Sequence, residues 1–291
     1  MEQRAFGSTG LTVSVLGLGG GQVGQEHLSE GEASAMLNGV LDAGITLIDT
    51  ARGYGASEER IGRHLAARRT EFVLSSKGGY DIEGTEDWTG PNVRQGIDRA
   101  LRLLRTDRID IFHLHSCPRE MLNRGDLLEA LDEAVAVGKI GVAAYSGDGP
   151  DLASAVASGR FGSIETSVNV ADQWSLRHVL PTRGGLGVIA KRPIANAAWR
   201  FSAQPHGDYA EVYWQRLQAL ALDVGELEWD EFALRFSAYA PGVDTAIVGT
   251  SKPVNLARNV ALVNRGPLPA EQLQAIDEAW AREGEAWTGQ V

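Results

Sequence analysis

The chain has 291 residues, 22% of them charged, and a formal net charge of −11; this length suits one large domain or two small ones. The acidic balance, without any long basic run, argues against nucleic acid and anionic membranes as partners. A single cysteine, Cys117, excludes an internal disulfide framework and fits a reducing, cytoplasmic compartment, and neither a signal pattern nor an apolar run of roughly 18 residues is present.

Residues 2–14 read as a small hairpin with Gly7-Ser8-Thr9-Gly10 as its turn. Residues 15–18 form the first core strand, and the glycines at 19–21 let the chain bend off its end. Ser29 and Glu32 make a capping-box pair. Met36, Leu37, Val40 and Leu41 follow at helical spacing until Gly44 ends the helix. Then comes ITLIDTARGYGASEE, residues 45–59: a short apolar strand ending in Asp49, a loop with Tyr54 between two glycines, and the start of a helix. EFVLSSK at 71–77 is a second such strand, ending in Lys77. A helix from Pro91 buries Val93, Ile97, Leu101 and Leu104. RIDIFHLH at 108–115 is a third strand, ending in His115, with a helix over 127–137 behind it. Strand 141–145 ends at Ser146 and precedes a short helix over 151–157. Strand 164–168 leads to a helix over 175–181, and strand 187–191 to a long connection with helices over 209–222 and 229–240. The last strand, 245–248, has its helix over 251–262, and a further helix covers 269–282.

Eight strand-then-helix units in about 250 residues predict an α/β fold, a closed (β/α)8 TIM barrel with an N-terminal β-hairpin and extra helices, as one domain over 1–291. Its active site should lie at the carboxyl rim. The competing open, doubly wound sheet wants a G-x-G-x-x-G fingerprint after its first strand, and GLGGGQVG at 17–24 does not match it.

Side chains alternate along a strand. Leu47 and Asp49 therefore share a face, as do Val73, Ser75 and Lys77, and Ile109, Ile111, His113 and His115. In neighbouring parallel strands about 4.8 Å apart, Asp49, Lys77 and His115 form a row along the rim with Tyr54 above it. A buried unpaired carboxylate costs several kcal/mol, so Asp49 needs Lys77. The lysine cation should in turn lower the pKa of Tyr54 below its usual value near 10. A neutral His115 can donate a hydrogen bond to a carbonyl oxygen. The set would polarise a C=O and hand its oxygen a proton. His113, one layer deeper, is expected to be a hydrogen-bonded interior histidine, and Cys117 a buried or pocket-wall thiol. No nucleophile has a base and orienter in reading order, and His113 and His115 lack further metal ligands. Attack on the carbon is then left to a cofactor hydride. Gly249-Thr250-Ser251 enters a helix whose free N–H groups and dipole attract phosphate.

Together these segments resemble the aldo-keto reductase family over nearly the whole chain. Its signature is similar to DTARGYGASEE at 49–59. Its other segments resemble FGSTGLTVSVLGLG at 6–19, the LSSK ending at Lys77, TDRIDIFHLHS at 106–116 and IVGTSKPVNLARN at 247–259. The resemblance implies a catalytic tetrad of Asp49, Tyr54, Lys77 and His115 and the NADPH-dependent reduction of an aldehyde or ketone, NADH being a possible substitute. It places Ser146 and Glu165 at the nicotinamide carboxamide and Lys191 at the nicotinamide face. Gly249, Thr250, Ser251, Lys252, Asn255, Arg258 and Asn259 fall at the phosphate and adenine end. Gln22, Trp88, Trp199, Phe201 and Trp287 lie where the family builds its substrate pocket.

The chain departs from the family pattern at five places. Gly147 stands for an asparagine, Glu165 for a glutamine, Lys191 for an aromatic, Asn255 for Arg or Gln, and Arg258 for Glu. Glu165 and Lys191 end neighbouring strands and are expected to pair. These changes motivate an alternative reading, a nicotinamide-cofactor-sensing binding protein with slow turnover. A lyase using Lys77 as a Schiff base is disfavoured, because Asp49 would hold the lysine charged.

Overall fold

Eight parallel strands close on themselves in a computed structural model that describes residues 1–290; Val291, the last residue of the expected domain, lies outside the described residues. Strands β1 (Gln3–Ala5) and β2 (Thr12–Ser14) pair antiparallel ahead of the barrel. The barrel strands are β3 (Leu16–Gly19), β4 (Leu47–Asp49), β5 (Val73–Gly78), β6 (Ile109–His115), β7 (Ile140–Ser146), β8 (Ser163–Ser167), β9 (Gly187–Lys191) and β10 (Thr245–Val248), with β10 pairing to both β9 and β3. The expected (β/α)8 barrel and its hairpin are both present. The hairpin plugs the amino-terminal mouth. Phe6 and Val13 join Leu47, Ile111, Ala144, Ile189 and Ile247 in one buried cluster. Gly7 is required at its turn: φ is +52° and a Cβ there would overlap the Gly185 carbonyl.

The outward faces of the strands carry Ile48, Leu74, Phe112 and Leu114, which pack against helices in the main core. Those helices include α1 (Glu30–Asp42), α2 (Ser57–Leu65), α3 (Gly90–Leu104), α4 (Gly125–Ala136) and α5 (Gly149–Ala157). Ser29 and Glu32 form the expected capping box on α1. After β8 comes only a one-turn helix, α6 (Trp174–His178), shorter than its expected 175–181 because Pro181 falls in the next turn. Helices α7 (Glu211–Leu220) and α8 (Trp229–Ala238) follow β9. Helix α9 (Pro253–Val263) follows β10 and starts at its proline rather than at Ser251. Helix α10 (Ala270–Glu283) closes the chain. Among the described residues no helix is long and apolar enough to cross a membrane.

Asp49, Lys77 and His115 do not lie in register. Asp49 pairs with Ser75, Lys77 with His113, and His115 with Ser146. Barrel strands are tilted and sheared, so a line around the rim climbs two residues where a line of register does not.

Candidate active site

Asp49 is fully buried at the end of β4. Ser75 donates to its Oδ1 at 2.7 Å, and Lys77 donates to its Oδ2. A second N–H of Lys77 goes to the Thr50 carbonyl at 3.2 Å. A second carboxylate then enters from β8, with Glu165 Oε2 lying 3.1 Å from the same ammonium. Lys77 is thus held firmly charged, its pKa raised because Asp49 and Glu165 together outweigh the cost of burial. Burial, reinforced by Glu165, pushes Asp49 up to about 7, against the pull of Lys77. Burial also opposes the Glu165 charge, but Lys77, His113 and Lys191 outweigh it and hold that carboxyl at about 2. Two carboxylates facing one ammonium titrate as a pair.

Tyr54 hangs over this group on a tight loop. Its backbone N–H donates to the Ala51 carbonyl at 3.0 Å, and Gly55 takes φ +55°. The ammonium approaches the ring face, 5.2 Å from its centroid, and among the described residues the hydroxyl makes no hydrogen bond to it. Contrary to expectation, Tyr54 is a weaker acid than free tyrosine. Lys77 lowers its pKa, but burial, Asp49, Glu165 and Tyr80 override the cation and push it up to about 12. His115 faces Tyr54 edge-on, ring centroids 6.0 Å apart. Burial first, then Lys77, lowers His115 to about 3, so the ring is neutral. Its Nδ1 lies 3.0 Å from the Tyr80 hydroxyl. With Tyr80 donating there, the proton sits on Nε2. Tyr80, in the KGGY that ends β5, was not singled out in the sequence.

His113 is buried in the barrel interior as expected, but among the described residues neither ring nitrogen has a hydrogen-bond partner. Its Nε2 lies 4.0 Å from Glu165 Oε2. Burial lowers its pKa to about 4, so it is neutral. Asp49, His113 and Glu165 bring potential ligand atoms within 4.8 Å of one another. Lys77 already supplies the cation of this cluster, in contact with both carboxylates. Cys117 is fully buried behind the rim.

Glu165 and Lys191 do not pair. Lys191 is instead held by Asp148, 2.9 Å away, because Asp148 leads into α5 beside the end of β8 and bonds Thr166 and Ser167 there. Ser146 is fully buried and its Oγ has no hydrogen-bond partner among the described residues. A cavity of about 810 Å³ opens above these residues, lined by Tyr54, His115, Glu165 and Lys191 together with Gln22 and Gly249. Arg192, Asn196, Arg200 and Tyr209 also line it. The sequence did not mark these four, since their loop runs through the non-glycine residues Ala195, Asn196 and Ala197 at positive φ. A second cavity of about 740 Å³ lies by the hairpin turn. Its Arg160 and Arg183 are taken up by Asp132 and Asp244, and it gathers no catalytic group.

The aromatic residues assigned to the substrate pocket, Trp88, Trp199, Phe201 and Trp287, do not line this cavity. Trp88 packs on Tyr80, 5.9 Å between centroids, behind His115. Trp199 stacks on Trp229 at 5.6 Å, and Phe201 belongs to the same cluster under α7 and α8. Trp287 packs on Trp280. Burial against helices outside the barrel competes for these rings and wins.

At the phosphate corner, the Thr250 and Ser251 N–H groups have no acceptor among the described residues, and Thr250 Oγ1 accepts from the Lys252 N–H at 3.1 Å. Arg258 is bound to Asp230 at 2.6 and 3.0 Å, a surface pair across α8 and α9. Lys252 is exposed and forms no ion pair among the described residues. Asn255 is exposed and Asn259 half-buried on the same helix. A nicotinamide dinucleotide suits this donor set. The orphaned Ser146 hydroxyl and the Glu165 carboxylate match the two functions of a carboxamide, and the free N–H groups before α9 match a phosphate. A stacking ring is missing, Lys191 being tied to Asp148.

A closed parallel barrel whose titratable groups crowd one carboxyl rim belongs to the class of (β/α)8 enzymes. Within that class the model of the Aldo/keto reductase family matches residues 15–281, and the chain belongs to that family. It is 26% identical to an uncharacterized oxidoreductase of Bacillus subtilis, over 95% of each chain. It is 27% identical to a D-threo-aldose 1-dehydrogenase of a Pseudomonas species, over 88% of this chain and 91% of that one. Among solved structures, the holo form of an aldo-keto reductase from Bacillus halodurans superposes with a TM-score of 0.82 at 26% identity, covering 96% of both chains. The protein is therefore an NAD(P)H-dependent oxidoreductase acting on small carbonyl compounds.

Proposed function

We propose that the chain reduces an aldehyde or ketone with NADPH and that Tyr54 is the general acid. The observation that carries this reading is the convergence of Tyr54, His115 and Asp49 on one cavity at the rim, with Lys77 paired to Asp49 behind it. The bound nicotinamide supplies the hydride; the chain's own residues do the rest. His115, neutral with its proton on Nε2, donates to the carbonyl oxygen and orients it. Tyr54, protonated across the neutral range, hands that oxygen its proton. Asp49 and Glu165 together keep Lys77 charged, and the ammonium stabilises the tyrosinate that remains. Oxidation of NADPH in the presence of a panel of aldehydes and ketones tests this activity.

The coenzyme preference rests on Lys252, because Asp230 occupies Arg258. A charge-assisted hydrogen bond contributes roughly 1.5–3 kcal/mol, so the preference for NADPH should be real but moderate. Lys252→Ala should weaken NADPH several-fold and leave NADH nearly unchanged, as dissociation constants from fluorescence quenching will report. Equal losses would remove Lys252 from 2′-phosphate recognition. One observation favours the alternative of a cofactor sensor with slow turnover: Glu165 competes for the ammonium that should assist Tyr54. Tight coenzyme binding with no turnover on any carbonyl would select it.

A further inference from the structure

Lys77 has three N–H groups, and two are accounted for by Asp49 and the Thr50 carbonyl. Around the third lie Glu165, in contact with the ammonium, and the Tyr54 ring, whose centroid is 5.2 Å away. Glu165 Oε2 is 3.1 Å from Nζ, an ion-pair contact, and among the described residues it has no hydrogen-bond partner. Its side chain is 2% exposed, so water cannot satisfy it. Asp49 alone would neutralise the lysine. A second buried carboxylate has no structural need to be there, and burying it is costly. We infer that Glu165 is a positioning residue acting through Lys77: a second counter-ion that competes with the Tyr54 hydroxyl for the ammonium and so controls how readily Tyr54 releases its proton. The consequence for catalysis rests on the reading of Tyr54 as the acid.

The groups facing Tyr54 come from four strands and one loop: Asp49 on β4, Lys77 on β5, Tyr80 after β5, His115 on β6 and Glu165 on β8. His115 is neutral, which leaves two anions against one cation. That balance agrees with the weak acidity of Tyr54. Glu165 also lines the cavity that Tyr54 and His115 share.

The test needs neither substrate nor coenzyme. Tyr54 is titrated by NMR in coenzyme-free protein carrying ring-labelled tyrosine, its signal assigned with Tyr54→Phe, in wild type and in Glu165→Gln. Wild type should ionise above the roughly 10 of ordinary tyrosine. Glu165→Gln should lower the midpoint by about one to two pH units, because Asp49 and Lys77 then balance. An unchanged midpoint would overturn the inference. Should the variant fail to fold, a wild-type Tyr54 that ionises at or below the ordinary value overturns it equally. Turnover of Tyr54→Phe tests the acid role separately, so failure of that reading and failure of this one are distinguishable.

Discussion

Replacing Tyr54 with Phe should lower the rate of carbonyl reduction by about a hundredfold or more, the usual scale of general acid catalysis, with coenzyme affinity retained. The ring stays, so its edge-on packing with His115 and its contact with Lys77 are kept. The hydroxyl has no hydrogen bond to Lys77, so its loss leaves no buried partner unsatisfied and stability should barely change. Steady-state kinetics with a saturating aldehyde, alongside coenzyme titration, separate the two effects. A fall in kcat with an unchanged coenzyme Kd is expected. Turnover equal to wild type would remove Tyr54 from the chemistry.

Lys77→Met should have the largest effect on the fold. It leaves Asp49 and Glu165 buried, close together and without a cation, and breaking a buried pair this way costs about 3–5 kcal/mol. Here one cation serves two carboxylates, so the upper part of that range is expected at neutral pH. The pH dependence has a definite sign. In the variant both carboxyls should have folded pKa values raised above their unfolded values near 4. Below that unfolded value both states are protonated and the penalty vanishes. As pH rises the unfolded state loses its protons first, so the penalty grows until the folded pKa values are passed. Urea unfolding of wild type and variant at pH 4.5 and 7.5 should show a wider gap at the higher pH. A constant gap would mean that the carboxylates do not depend on Lys77.

The barrel was legible because each strand carries a period-two or apolar run closed by glycine or a polar residue, and each helix an apolar stripe. Strands β9 and β10 begin and end where the pattern places them. Asp49, Lys77 and His115 were legible as strand-end residues because parity alone sends them inward. The partner of Glu165 was not. Parity directs Glu165 to the barrel axis, but which cation it meets depends on the shear of β5 against β8, and no local signal encodes shear. Lys191 is the same case: its partner Asp148 lies in a loop after β7. The aromatic residues misled for a different reason. Trp199 and Phe201 follow a rim strand in sequence, yet the left-handed backbone at Asn196 and Ala197 turns the chain toward α7 and α8.

The proposed chemistry is hydride transfer at this rim with the proton delivered by the protein. NADPH carrying deuterium at the reactive carbon of its nicotinamide, incubated with wild-type protein and a reducible aldehyde, tests it most directly by mass spectrometry of the alcohol. One deuterium on the carbinol carbon, retained after the hydroxyl has exchanged with water, is expected. An alcohol without label on that carbon, or no alcohol from any aldehyde or ketone while the coenzyme binds, would contradict it.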